Sequence, residues 1–275
     1  MNDEKADLLQ KSFWEHLNDL RWLLLRSVIV IIILAIAAFV FKDIIFDKII
    51  FAPKSSSFIT NRFFCRLADW LSIKDLCFEN ANIKLINTNL SGQFMTHMYV
   101  SFIAGLIVGS PYVIWELWRF IKPALYEKEK QHTKGAVLIV SLLFWLGVLF
   151  SYFVIVPLMI NFLGTYQVSS SVANLIDLNS YISSVTSMVF SVGLVFELPV
   201  IVYVLAKVGL VTGKFMKKNR RYAIVIILTV AAVITPSTDM FSQILVSLPL
   251  FVLYEVSIVI AKKTSAKGIE KFENI

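Results

Sequence analysis

The sequence predicts an all-α, polytopic membrane protein with six transmembrane helices and both termini in the cytoplasm. Of its 275 residues, 57% are hydrophobic and only 16% are charged, whereas a soluble domain keeps about a quarter of its residues charged. The apolar residues are gathered in runs of about 20, the length with which a helix crosses the hydrocarbon core. These two features exclude a soluble fold, and the basic residues between the runs give the orientation.

Six apolar segments are the predicted spans. They cover residues 22–41, 94–115, 136–163, 181–206, 222–234 and 241–261. The fifth has roughly 13 residues, about 20 Å of helix against a hydrocarbon core of about 30 Å. We therefore expect either a shallow hairpin with the sixth span, turned by the residues Thr235–Asp239, or a thinner bilayer beside it.

Lysine and arginine are unevenly distributed among the connecting segments. Residues 115–135 and 207–221 are rich in both and the C-terminal tail is rich in lysine, whereas residues 164–180 and 235–240 contain neither. Because basic loops stay in the cytoplasm, both termini are placed there. The segment 42–92 is also basic, but its length approaches the limit of this rule. We therefore place it outside, as an extended extracytoplasmic loop or small folded cap within a single domain of residues 1–275.

The composition and the absent motifs exclude several classes of function. A net charge of +7 would suggest nucleic acid in a soluble protein, but here the basic residues lie apart in short loops, as expected beside an anionic leaflet. The polar first ten residues are not followed by a cleavage site, so no removable signal peptide is predicted. Without an H-E-x-x-H, G-x-S-x-G or phosphate-binding loop motif, we predict no enzyme, no cofactor and no metal site.

Cys65 and Cys77 are the only cysteines, and both lie in the segment 42–92. Outside the cytoplasm a disulfide between them would persist, and closing so short a loop contributes about 3 kcal/mol. Spacing alone does not show that the two Cα atoms approach each other. A disulfide and two free thiols both remain open.

Glu197 lies deep in the predicted fourth span, where a charged carboxylate costs about 2.5–3.5 kcal/mol on insertion scales. Pro199 follows and should kink the helix. The acid either faces a water-accessible concavity or is a protonated or paired carboxyl that holds helices together. Pro157 and Pro249 similarly either interrupt the third and sixth spans, which gives a kinked bundle, or are ordinarily tolerated within membrane helices.

Two acidic residues stand among basic ones at the predicted cytoplasmic side. Asp19 lies in the motif HLNDLR before the first span, and Glu129 lies in ALYEKEK before the third. Carboxylates so placed can bind guanidinium groups through two hydrogen bonds each. Local ion pairs with neighbouring basic residues are the alternative, which the residues alone favour. Arg26, one turn into the first span, is predicted to reach back to the interface.

Five motifs in the same order as in a known family are spread over nearly the whole chain. They are HLNDLR (16–21), FAP (51–53), SPYVIWELWRFIKPALYEKEK (110–130), VFELP (195–199) and TPSTDMFSQ (235–243). Together they resemble the TatC family, the multispanning receptor subunit of the twin-arginine protein translocase. The usual glutamate of the first motif is Asp19 here, whose reach is one methylene shorter. The segment 42–92 is longer than is usual, and its extra part has no family role.

The resemblance implies a non-enzymatic receptor in the bacterial inner membrane, which binds twin-arginine signal peptides and exports folded proteins with the proton gradient. It also implies single-span TatA or TatB type partners, a homo-oligomeric receptor complex, and a concave face in the lipid bilayer. The implied site residues are Asp19, Leu20, Arg21 and Glu129 for the signal peptide, Glu197, Pro199 and Pro53 as functional polar or shape-giving positions, Asp177 and Asp239 in the outer loops, and Thr235 and Gln243 for the partner helix. A proton-coupled secondary transporter that uses Glu197 is the alternative, although no repeated halves are visible.

Overall fold

The computed structural model describes residues 13–55, 57–71, 84–121, 133–169, 174–235 and 239–273, and these are mostly helical. The helices are α1 (Phe13–Val40), α2 (Ile59–Leu71), α3 (Gly92–Ile121), α4 (Thr133–Phe150), α5 (Val156–Thr165), α6 (Leu178–Val195), α7 (Leu198–Lys207), α8 (Gly213–Lys218), α9 (Arg220–Ile234) and α10 (Met240–Glu273). The shorter elements are two π-helical turns (Ile44–Ile50 and Ser151–Ile155), a 3-10 turn (Ala52–Lys54) and the strands β1 (Lys84–Ile86) and β2 (Leu175–Asp177).

Five helical stretches within the described residues are long and apolar enough to cross a bilayer. They are Leu17–Val40, Gly92–Phe120, Gly135–Thr165, Leu178–Lys207 and Met240–Thr264. They coincide with the first, second, third, fourth and sixth predicted spans. The fifth corresponds to α9, whose 15 residues give about 22 Å of helix. A sixth crossing at α9 and the side of the membrane on which the termini lie stay predictions.

Residues 1–41 and 98–141 form one compact unit, in which α1 packs on α3. A Cβ atom at Gly105 would lie 2.8 Å from the backbone nitrogen of Ala35 and 2.8 Å from the carbonyl oxygen of Ile31. The two backbones are therefore in direct contact, which only a residue without a side chain permits. Small residues at such a crossing are typical of helix pairs in membranes.

Residues 42–97 and 142–275 form a second compact unit, in which α10 lies against α7, α8 and α9. The Tyr254 hydroxyl donates to the carbonyl oxygen of Met216 at 2.9 Å, and Arg220 pairs with Glu255 at 2.5 Å. The side chains at the centre of this unit are at most 1% exposed: Ile155, Val156, Ile182, Val185, Met188, Val192, Val246 and Leu250.

The three prolines within the predicted spans behave differently. Pro157 follows the π-helical turn Ser151–Ile155, and Pro199 follows a two-residue break between α6 and α7. At Pro249 the alternative of ordinary tolerance holds, because α10 is helical on both sides of it. A proline removes one backbone hydrogen bond, and neighbouring groups in a bundle can compensate for that loss without ending the helix.

The described part of the segment 42–97 is folded. Strand β1 pairs in parallel with β2, with Leu85 opposite Ile176, a small sheet that the all-α prediction did not include. Three-residue strands are too short to produce an alternating pattern. Helix α2 is attached by a buried pair of amides, in which Asn161 donates to the Oδ1 of Asn61 at 2.9 Å.

Candidate functional site

Three of the residues predicted to bind a signal peptide lie on α1. Asp19 and Arg21 are exposed and Leu20 is half-buried, and α1 continues from them into the first span without a break. Residues two positions apart on a helix do not face each other. The helix therefore disfavours a local ion pair between Asp19 and Arg21. Glu129 lies outside the described residues.

A carboxylate that the sequence did not predict as a site residue lies on α3 of the same unit. Glu116 is only 4% exposed and accepts a hydrogen bond from the Tyr112 hydroxyl at 3.2 Å. Its Oε1 atom is 3.8 Å from Nη1 of Arg26 on α1 and 3.9 Å from Nη1 of Arg119 on α3. Arg26 therefore does not only reach towards water as predicted, because it also pairs with α3.

The Glu116 cluster consists of Arg26, Tyr112, Glu116 and Arg119. It joins the first span to α3, after which the chain continues towards Glu129. Two guanidinium groups and one carboxylate leave a local excess of one positive charge, and both arginine side chains are about half exposed. Positions 112, 116 and 119 follow i, i+4, i+7 spacing, which places them on one helix face. That spacing could have indicated the α3 part of the cluster from the sequence alone. Arg26, the partner of Glu116 on α1, lies 90 residues earlier in the chain.

A double-mutant cycle tests the pair between Arg26 and Glu116. Arg26→Gln and Glu116→Gln should each lower the thermal stability of the purified protein, and the double variant should lose less than their sum. We expect a coupling free energy of about 0.5–2 kcal/mol, because one partner is buried. Thermal unfolding in detergent gives the values. The cycle of Arg119→Gln with Glu116→Gln is the matched control and should give less, since Arg119 is an exposed partner on the same helix. Additive losses for Arg26 and Glu116 would contradict the pair.

Glu197 lies in the break between α6 and α7, two residues before the buried Pro199. Both of its carboxyl oxygens are buried without a hydrogen-bond donor at bonding geometry among the described residues, although the backbone of Phe144 is near enough for a weak contact. Burial of an ionised carboxylate without a partner is costly. The Glu197 carboxyl group is thus a buried polar group in apolar surroundings.

Close backbone packing surrounds this acid. A Cβ atom at Gly147 on α4 would lie 2.7 Å from the ring of Phe196 and 3.0 Å from the Cα of Gly193 on α6. Glycine at both positions lets α4 and α6 touch beside the break. The contact between α4 and α6 therefore fixes the backbone beside Glu197. No hydrogen bond at bonding geometry among the described residues holds its carboxyl group.

Thr235 and Gln243 lie at the contact between α9 and α10. Thr235 is buried, and its hydroxyl donates to the carbonyl oxygen of Ala231 at 3.0 Å. The Gln243 side chain donates to the carbonyl oxygen of Leu228 at 3.0 Å and so crosses from α10 to α9. Asp239 accepts from the backbone N–H of Ser242 at 2.7 Å and caps the start of α10. Residues 236–238 of the predicted turn lie outside the described residues.

The remaining predicted positions stabilise connections. Asp177 caps α6 by accepting from the backbone of Asn179 at 3.0 Å, and the Thr88 hydroxyl donates to it at 3.2 Å. Pro53 is buried in the 3-10 turn, and its carbonyl oxygen accepts from Asn61 at 3.2 Å. These contacts give both residues a local structural role.

The described residues include only one of the two cysteines. Cys65 lies on α2, is half-buried and is disulfide-bonded, whereas Cys77 lies outside the described residues. Their pairing stays a prediction. Within the described ranges, no group of three or more histidine, cysteine, aspartate or glutamate residues is placed to hold a metal ion.

Comparison with known proteins agrees with the resemblance in the motifs. The family model of the Sec-independent protein translocase protein (TatC) matches residues 15–249. The chain is 39% identical over 269 residues to the TatC protein of Blattabacterium sp. subsp. Periplaneta americana, which covers 97% of this chain and 100% of that protein. It is 41% identical over 193 residues to the TatC protein of Helicobacter pylori strain 26695, which covers 70% of this chain and 76% of that protein.

Two solved structures of a twin arginine translocase receptor, TatC, are also similar. One aligns with a TM-score of 0.68 at 31% identity and covers 91% of this chain and 99% of that chain. The other, determined in the detergent DDM, aligns with a TM-score of 0.72 at 32% identity and covers 90% of this chain and 99% of that chain. The similarity thus includes nearly the whole of both receptor structures.

Proposed function

Since this chain belongs to the TatC family of Sec-independent protein translocases, we propose that it binds twin-arginine signal peptides through Asp19 and Glu129 at its cytoplasmic face. The chain is a multi-pass inner-membrane subunit of the translocase and not an enzyme. The observation that carries the proposal is the similarity, over 91% of this chain, to a solved twin arginine translocase receptor. The alternative of a proton-coupled transporter finds no support, because these matches are all to translocase subunits.

Paired arginines need acceptors that can take two hydrogen bonds each. A carboxylate accepts a guanidinium in the bidentate geometry, which a lysine ammonium cannot reproduce. Asp19 is exposed near the start of α1, the helix that continues into the first span, so it can meet a peptide at the membrane surface. Its shorter side chain makes Glu129 the stronger arginine contact of the two.

The Glu116 cluster lies close to Asp19 along α1 and joins α1 to α3. Asp19 lies seven residues before Arg26 on α1, about 10 Å along the helix axis. Glu116 lies about one turn from the end of α3, after which the chain continues to Glu129. The pair between Arg26 and Glu116 therefore holds the start of the first span close to the end of α3.

We further propose the finer features of the complex. As a translocase receptor the chain works with other components of the twin-arginine system. Single-span TatA or TatB type helices would dock beside Thr235 and Gln243, where two polar side chains lie at the contact of α9 and α10. Copies of the chain would associate in the receptor complex, and the proton gradient would drive export. Both termini would lie in the cytoplasm.

The first test of the peptide site uses Glu129→Gln. This change should weaken binding of a twin-arginine peptide by about 1.5–3 kcal/mol, the magnitude of hydrogen bonds to charged groups. Titration of the detergent-purified protein with a labelled peptide measures it. Glu127→Gln, two residues earlier in the same segment, is the matched control, and a twin-lysine peptide should lose less. Equal affinity of the wild type and Glu129→Gln would contradict the assignment.

The orientation is tested with cysteines introduced after the natural ones are replaced by serine. A cysteine at Ser171 should react with an impermeant thiol reagent added to intact cells, whereas one at Lys217 should react only after the cells are opened. The reason is that basic connections stay in the cytoplasm. Reversed labelling would overturn the orientation and the cytoplasmic placement of Asp19 and Glu129.

Glu197 is tested by comparing two substitutions. Glu197→Gln should retain much of the export of a folded twin-arginine cargo, because an amide can donate and accept hydrogen bonds as a protonated carboxyl does. Glu197→Leu should impair export, since it removes the polar group against which another helix can pack. Export is measured in cells with equal membrane levels of each variant. Loss of export in the Gln variant at a normal level would show instead that an ionisable group is needed.

A further inference from the structure

Helix α2 lies in the segment 42–97, outside the candidate spans, and has two different faces. Among the described helices of that segment outside the spans, it alone is longer than two turns. Asn61 and Ala68 on its inner face are 2% and 1% exposed. Asn61 also donates to the carbonyl oxygen of Ser55 at 2.8 Å, and the Thr60 hydroxyl donates to the carbonyl oxygen of Phe153. These contacts fix which face of α2 is turned away from the protein.

The outward face carries an apolar stripe. Ile59, Phe63 and Trp70 are 69%, 61% and 81% exposed, and helical geometry places all three within about 40° around the helix axis. Arg62 and Arg66 are also exposed and lie along one side of this stripe. Large apolar side chains gathered on one face, with cations beside them, are typical of helices that lie in a membrane interface.

The level at which α2 is attached agrees with an interfacial position. Its first turn contacts the third span between Phe153 and Asn161. The stretch Gly135–Thr165 has 31 residues, about 46 Å of helix against a hydrocarbon core of about 30 Å. If this stretch is centred in the core, about 8 Å of helix emerges at each end. The boundary between hydrocarbon and headgroups would then lie near residue 160, at the level of these contacts.

The stripe also continues a surface that faces lipid. Leu142, Leu146 and Leu149 form an exposed ridge along the third span, and Phe153 is the next position of the same i, i+4, i+7 series. There the ridge meets the start of α2, where Phe58 stacks on Phe153 with ring centroids 5.7 Å apart. Apolar surface thus runs from the span to the outward face of α2.

We propose that α2 lies in the membrane interface, with Ile59, Phe63 and Trp70 among the acyl chains and with Arg62 and Arg66 on lipid phosphates. Guanidinium groups bind phosphate through paired hydrogen bonds, their aliphatic stems lie along apolar surface, and tryptophan is enriched at membrane interfaces. A second copy of the chain fits this face less well, since a symmetric contact would bring the arginines of both copies together.

Two labelled positions on α2 test the proposal in the full-length chain. After Cys65 and Cys77 are replaced by serine, a cysteine at Phe63 or at Asp69 is coupled to an environment-sensitive fluorophore. Asp69 is the matched control, because it is equally exposed but lies on the polar side of the same helix. The protein is reconstituted in vesicles of phosphatidylethanolamine and phosphatidylglycerol. The label at position 63 should be quenched severalfold more by spin-labelled lipid than by iodide, and the label at 69 should show the reverse preference.

Two results would overturn the proposal. Quenching of both labels by iodide alone would show that α2 faces water. Protection of position 63 from both quenchers at every protein-to-lipid ratio would show that protein covers it. Trp70→Phe in the chain with its natural cysteines gives an independent measurement. Quenching of the total tryptophan fluorescence by brominated lipid should be smaller in this variant than in the wild type, and an unchanged lipid-quenched component would also contradict the proposal.

Discussion

Hydrocarbon offers no hydrogen bonds, so a polar group inside a span must find its partner within the protein. Many polar side chains of the described spans follow this constraint. Thr186 donates to the carbonyl oxygen of Ile182 at 2.6 Å, and Ser257 donates to that of Leu253 at 2.7 Å. Gln243 reaches a backbone carbonyl of the neighbouring helix, and Glu116 takes three partners. Each of these contacts uses a group that the fold would otherwise leave unsatisfied, and the contacts between helices thereby also become specific.

Glu197 is an exception to the same rule, as are several buried serine hydroxyls of the described spans. Its carboxyl group is buried as that of Glu116 is, but among the described residues it lacks both a cation and a hydrogen-bond donor at bonding geometry. The two acids therefore differ in what their burial achieves. The carboxylate of Glu116 joins α1 to α3 through Arg26, whereas that of Glu197 joins no pair of described helices.

The sequence predicted the helices well and the contacts between them poorly. Hydropathy located α9 and the start of α10 to within two residues, because the length of an apolar run is a local property. The pairing of Arg26 with Glu116 and of Asn61 with Asn161 joins positions about 100 residues apart, and nothing in a single sequence marks such pairs. At Pro249 the residues left interruption and tolerance both open, because the effect of a proline depends on the neighbouring helices. For Asp19 the residues alone favoured a local ion pair, and only the family motif indicated peptide binding.

The segment 42–92 is anchored within one unit of the described chain. Its described anchors, from Asn61 on Asn161 to Tyr181 on the carbonyl oxygen of Ile50, lie within the unit of residues 42–97 and 142–275. Asp19 and the Glu116 cluster belong to the other unit. A segment that is fixed to one unit, and whose outward face would be covered by lipid as proposed for α2, needs no further protein partner.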